Sequence, residues 1–222
     1  MNPIEHYYLF DGILSFGVEI VRPENSNMKI LIRNLKSVQL TIILAFICFL
    51  SLGGCSKYSD EVQANLTKLK ETKSCSGCGL RGIELINFDL KGANLSGANL
   101  TGANLRRSDL AGANLTDTNL TDADLLGVNL TGAILNNTNL TRVKLSYAII
   151  NGADISGAVL KDAHMNSSKF VNSKIKNSDI TGANLYNADL TGTKVSEETL
   201  KSAVLCKTVM PSGQKDDSGC KR

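Results

Sequence analysis

Histidine is almost missing from this chain, and so is any long apolar run. There are two histidines in 222 residues, and the second, His164, has no other histidine near it in the sequence. No Ser–His–Asp constellation, no metal-spaced histidines and no phosphate-cradling glycine loop appear. The expectation is a non-enzymatic chain with no cofactor and no metal. The most apolar stretch, residues 40–52, falls short of the roughly 20 residues that carry a helix across a bilayer. Neither sign of charge dominates, with 24 Lys and Arg against 21 Asp and Glu for a net charge of +3.

What the chain does have is a period. From Leu85 to Val195 every fifth residue is a bulky aliphatic, Met or Phe, over 23 consecutive positions. At an apolar fraction of 42%, chance would fill them about twice in a billion trials. In an α-helix five residues turn about 500°, which would spiral the set over the whole surface. In a straight strand an odd repeat would send successive residues to opposite faces. What remains is a chain that turns a corner once per repeat and returns each central residue inward, which is a solenoid.

The run Ala93-Asn94-Leu95-Ser96-Gly97, Ala98-Asn99-Leu100-Thr101-Gly102, Ala103-Asn104-Leu105 resembles the A-(N/D)-L-x-x pattern of the pentapeptide-repeat family. The resemblance covers residues 83–195. It implies an all-β fold, a right-handed quadrilateral β-helix with four repeats per turn and about six coils. At a strand spacing of about 4.8 Å the rod would be on the order of 28 Å long.

The residues agree with that implication. The central Leu stacks on the Leu one coil away. The residue two before it is Ala, Ser, Thr or Val because four side chains share a narrow interior. Ile83 and Phe88 are the exceptions and are expected to plug the first turn. Asn or Asp before the centre, and Gly, Asp or Asn two after it, are turn formers with a structural role. The Asn-Leu-Ser/Thr triplets between Asn94 and Thr141 match a glycosylation sequon but follow from the repeat, so no glycans are assigned.

Open β-helix ends expose strand edges and need covers. Ser59 is placed to cap a short helix with Asp60 and Glu61 in its first turn and Val62, Leu66 and Leu69 along one face. Ser196 precedes Glu197 and Glu198, with Leu200, Val204 and Leu205 following at helical spacing.

Ahead of the rod, Lys29, Arg33 and Lys36 precede the apolar residues 40–52, and Gly53-Gly54-Cys55 follows. Leu52-Gly53-Gly54-Cys55 resembles the bacterial lipoprotein box, which implies lipidation of Cys55. Residues 1–27 fit no secretory logic, so Met28 is the expected start and the preceding segment a mis-assigned extension or a poorly ordered tail. The organisation expected is 1–27 extension, 28–54 signal peptide, 55–82 linker and capping helix, 83–195 β-helix and 196–222 carboxy-terminal cap.

Cys48 lies within the signal. Cys75, Cys78, Cys206 and Cys220 remain, and an even remainder in an exported chain suggests disulfides. The spacing also allows a Cys₄ zinc site, against which the length of the rod argues. A redox pair at Cys75-Ser76-Gly77-Cys78 lacks a βαβ context and a basic residue between the thiols. Local pairs, Cys75 with Cys78 and Cys206 with Cys220, are expected. The tail from Leu205 to Cys220 also looks like the ending of many secreted pentapeptide-repeat proteins.

Some members of the family resemble duplex DNA in size and charge and protect a topoisomerase from drugs. That role needs an acidic rod. Removing residues 1–54 takes four basic and four acidic residues from totals of 24 and 21, which leaves the net charge at +3. The reading is therefore an exported envelope scaffold or binding module, lipid-anchored to a membrane, with a protein or anionic envelope polymer as partner and no nucleic acid. Residues twenty apart share a face, which puts Lys174 and Lys194 in register with Lys176 beside them as a candidate anion-binding face. Lys144, His164, Arg106, Tyr147 and Tyr186 share another. The competing reading is that these charges only keep a repetitive rod soluble.

Overall fold

In a computed structural model, the described residues are 57–220 together with the backbone of three strands, β1 (Glu5–Asp11), β2 (Leu14–Val21) and β3 (Lys29–Leu31). Met28, the apolar run 40–52 and Cys55 lie outside them. The chain divides into two units, Met1–Lys57 and Tyr58–Arg222.

In the first unit β1 pairs antiparallel with β2, from Glu5↔Ile20 to Asp11↔Leu14, and β2 pairs with β3, from Glu19↔Leu31 to Val21↔Lys29. These segments are rich in Tyr, Phe, Val and Ile, which suit a pleated sheet. The expectation for residues 1–27 is a mis-assigned extension or a poorly ordered tail, whereas β1 and β2 both fall within them.

The second unit is the solenoid. Parallel bridges join residues twenty apart, beginning with Ser74↔Asn94 and ending with Asp189↔Val209. Each side of a coil is short, and its backbone is satisfied by its neighbours. Leu95 N donates to Asn114 O at 2.8 Å, Gly97 N to Thr116 O at 2.8 Å, and Asn114 N to Ala93 O at 2.9 Å. A β-turn makes each corner, as where Ala98 N donates to Leu95 O at 3.0 Å. Its third residue is left-handed, for example Gly97 at φ 66°, which is why Gly, Asn and Asp recur there. The Asn before the centre closes a second small turn: Asn99 Oδ1 accepts from Thr101 N at 3.1 Å and from Thr101 Oγ1 at 2.7 Å.

Inside, Leu90, Leu95, Leu100 and their successors are fully buried, as are the small residues between them. At about 25 cal/mol per Å² of apolar surface, each buried Leu contributes roughly 1.5–3 kcal/mol. Buried hydroxyls are all committed. Thr118 Oγ1 donates to Leu95 O and Thr138 Oγ1 to Leu115 O, at 2.8 and 2.7 Å.

The ladder starts earlier than residue 83. Cys75 and Leu80 occupy central places and Cys78 an inner one, all buried. Cysteine stands in the central place of one of these repeats and in the small inner place of the next. Ile83 is fully buried as expected, but Phe88 is only half-buried. The Lys70 ammonium sits 5.9 Å from its ring centroid.

Helix α1 (Asp60–Thr72) covers the amino-terminal edge. Ser59 caps it by accepting from Val62 N at 3.4 Å, and Leu66 and Leu69 are buried. Two of the edge amides that have no coil beneath them are met by side chains: Ser74 N by Thr72 Oγ1 at 3.1 Å and Glu84 N by Tyr58 Oη at 2.9 Å. At the other end α2 (Glu197–Lys201) replaces one side of a coil, with Ser196 capping Thr199 N at 3.1 Å. Val204 and Leu205, expected to continue this helix, instead rejoin the ladder through Asn184↔Val204. The period that buries Leu200 and Leu205 outlasts the helix. A hairpin of β4 (Thr208–Val209) and β5 (Lys215–Asp216) completes the cap.

Both expected disulfides are present. Cys75–Cys78 spans 5.3 Å between Cα atoms and Cys206–Cys220 spans 4.7 Å. The second ties the tail to the last coil, where Gly219 N donates to Leu205 O at 3.0 Å. A Cβ on Gly219 would lie 2.8 Å from Leu205 N, so the tail closes only with glycine there.

Candidate anion-binding face

The twenty-residue stride builds columns of outer residues, each made of the positions just before the central ones. One column runs Asn114, Ile134, Asp154, Lys174, Lys194. Lys174 and Lys194 are in register as expected. They are not equivalent, because Lys174 Nζ lies 3.2 Å from Asp154 Oδ2. Ser156 and then Lys174 hydrogen-bond the Asp154 carboxylate and hold its pKa below the ordinary carboxylate range. The same stride carried one coil further down the sequence identifies this pair. Lys174 therefore brings little free charge to the face.

Lys176 and Lys194 have no ion pair among the described residues. Both line a shallow groove with Ile175, Asn177, Ser196 and Thr199. The groove exists because α2 leaves the ladder. The structure thus brings together two of the three predicted lysines and adds a concave surface that residue spacing did not reveal. The start signals of α2 were legible at Ser196-Glu197-Glu198, but the gap they open in the next coil depends on the three-dimensional ladder.

The second predicted face is also assembled. Lys144, His164 and Asn184 stack in one column, and Tyr147 and Tyr186 are exposed at 63% and 40%. Arg106 Nη1 lies 3.4 Å from Asp124 Oδ2, and Lys207 Nζ lies 5.5 Å from the Tyr186 ring centroid. His164 is exposed. Among the described residues no group of three or more His, Cys, Asp and Glu is placed to hold a metal ion.

A family model for pentapeptide repeats matches eight copies, over residues 74–110, 89–127, 123–162 and 158–196. The chain belongs to the pentapeptide-repeat family. Its solenoid is the right-handed quadrilateral β-helix of that family, with a helix at each end. Among solved structures it is similar to alr5209, a pentapeptide-repeat protein from Nostoc Pcc 7120, at 33% identity over 44% of this chain and 79% of that one, TM-score 0.39. It is also similar to QnrB1, a plasmid-mediated fluoroquinolone resistance protein, at 16% identity over 66% and 80%, TM-score 0.37. A third is Rfr23 from the cyanobacterium Cyanothece 51142, at 22% identity over 71% and 96%, TM-score 0.32. No curated protein matches the chain.

Proposed function

We propose that this pentapeptide-repeat protein is a non-enzymatic scaffold of the cell envelope. It is exported, held to a membrane through lipidated Cys55, and acts by presenting the solenoid surface to an anionic polymer. The observation that carries the reading is the change in the outer columns. Asn and Asp fill them from Asn94 to Asn129, whereas Ile134, Lys144, Ile149, Val159, His164, Lys169, Lys174 and Lys194 interrupt them afterwards. Each interruption gives up a turn-closing side chain, a local cost that recognition by the exposed residue would justify.

A rod that stands in for duplex DNA is the alternative that the family raises. It requires dense negative charge, and a net charge of +3 with lysines in the later columns opposes it. Nothing in the repeats arranges a nucleophile, base and oxyanion donor around a cleft.

The test is intact-mass analysis of protein from the membrane fraction. A chain beginning at Cys55 with an added diacylglycerol supports export and anchoring. A soluble, unlipidated chain that retains residues 28–54 would sink this reading.

A further inference from the structure

The ladder is saturated one coil below the carboxy-terminal groove. Gly157 N donates to Lys176 O at 2.8 Å, Ala158 N to Ile155 O at 3.2 Å and Leu160 N to Asp179 O at 2.7 Å. It is saturated again thirty residues beyond these, where Asn187 N, Ala188 N and Leu190 N donate to Cys206 O, Leu185 O and Val209 O. Between these, the equivalent amides of Asn177, Ser178 and Ile180 have no acceptor among the described residues.

The cause is α2. The carbonyl that would take Asn177 N is that of Ser196, which instead accepts from Leu200 N at 3.2 Å. The carbonyl that would take Ile180 N is that of Thr199, which accepts from Ser202 N at 3.2 Å and Ser202 Oγ at 2.7 Å. Gly182 N donates to Ser202 O, one residue later than the regular stride. Ile180 and Ser178 are buried, at 2% and 9% exposure, where an unmatched amide is costly. The donors come from the preceding coil and not from α2, one of whose first-turn amides, Thr199 N, is taken by Ser196 Oγ at 3.1 Å.

The geometry points to a seat for one compact oxyanion, a phosphate or carboxylate group, held at the groove by the Asn177 amide with Lys176 and Lys194 as counter-charges, the buried Ser178 and Ile180 amides lying just behind it in the chain. Directed amides beside cations are the general means of binding such groups. This rests on the reading of the lysine end as an anion-binding face, and it replaces a diffuse field by a discrete site. Glu197 and Glu198 open α2 between the groove residues Ser196 and Thr199, so net charge nearby is small. Binding then depends on hydrogen bonds and falls only gently with added salt, unlike a purely Coulombic lysine face.

The experiment is amide NMR of the whole chain, titrated separately with inorganic phosphate, acetate and polyphosphate at two salt concentrations. The expected result is a saturable shift confined to Asn177, Ser178, Ile180 and their neighbours with at least one small anion. The Lys176→Ala/Lys194→Ala chain should weaken it roughly tenfold or more. Polyphosphate binding that is lost in the double variant yet leaves these amides unmoved overturns the seat and leaves the lysine-face reading standing. Failure of all three anions to bind overturns both. An unchanged amide spectrum elsewhere in the double variant shows that its fold is intact.

Discussion

The two halves of the rod share one interior and differ in their skins. From Asn94 to Asn129 every outer residue is Asn or Asp, and each accepts the backbone amide two residues on, as Asn114 does from Thr116 N at 3.0 Å and Asp124 from Leu126 N at 3.1 Å. Beyond Asn129 only Asn139, Asp154, Asp179, Asn184 and Asp189 keep that bond. The others are replaced by lysines, His164 and aliphatics, of which Ile134 and Ile149 are 42% and 41% exposed. The interior also diversifies, from an unbroken Leu series up to Leu145 to Met165, Phe170 and Ile175, yet it stays closed. Phe170 is 1% exposed, with buried Ser168 and Ser173 leaving room on either side in sequence. Burial fixes the fold in both halves, and the second half has exchanged local turn stability for a more varied surface.

The largest test of that comparison is in the core. Leu120→Ala should cost about 2–5 kcal/mol and Phe170→Ala about 3–5 kcal/mol in denaturant unfolding, because both empty a closed interior. A cheap Phe170→Ala would mean that the second half is loose inside as well as out, and the contrast would fail. Next comes Thr118→Val, which removes the hydroxyl bonded to Leu95 O. A loss of about 1 kcal/mol is expected, since Leu95 O keeps the amide of Ala98.

Exchanging skins should do less. Ile134→Asn restores a turn-closing acceptor and is expected to stabilise by about 0.5–1 kcal/mol, with Asn114→Ile losing a similar amount. Equal melting temperatures for the two variants would show that the Asn bonds contribute nothing and would remove the supposed cost of the second half's surface.

The smallest effect is with pH. Arg142 bonds Asp122 with two contacts of 2.7 Å and holds its carboxyl below the ordinary range. Asp154 is lowered by Ser156 and Lys174. A carboxylate with a lowered folded pKa contributes stability that is complete above its unfolded value and lost as pH falls through the folded one. Melting temperature should therefore drop modestly below about pH 4, and less steeply in Asp122→Asn. These groups are solvated, so a steep acid transition that both Asp122→Asn and Asp154→Asn abolish would contradict the minor role given to surface pairs.

Much of this was legible in the chain because a five-residue stride is local. It gave the solenoid, the inward Leu residues, the small inner positions and both helix caps at Ser59 and Ser196. Cys75 and Cys78 hid the first repeats, since a cysteine in a central or an inner place does not match the Leu and Ala of the pattern. Val204 and Leu205 fitted two periods at once, and the ladder prevailed because it pairs backbone and buries Leu205 together. The diversion of Lys174 to Asp154 follows from the twenty-residue stride. The unmatched amides at Asn177 and Ile180 do not, because they arise where α2 turns carbonyls away from residues some twenty positions earlier.

The central claim is that recognition belongs to the second half's skin. Its most direct test is polyphosphate binding by a whole chain in which Ile134, Lys144, Ile149, Val159, His164, Lys169, Lys174, Lys176 and Lys194 are all replaced by Asn. The account predicts a chain that melts no lower than the parent and has lost binding. A stable variant that binds as the parent does would contradict it.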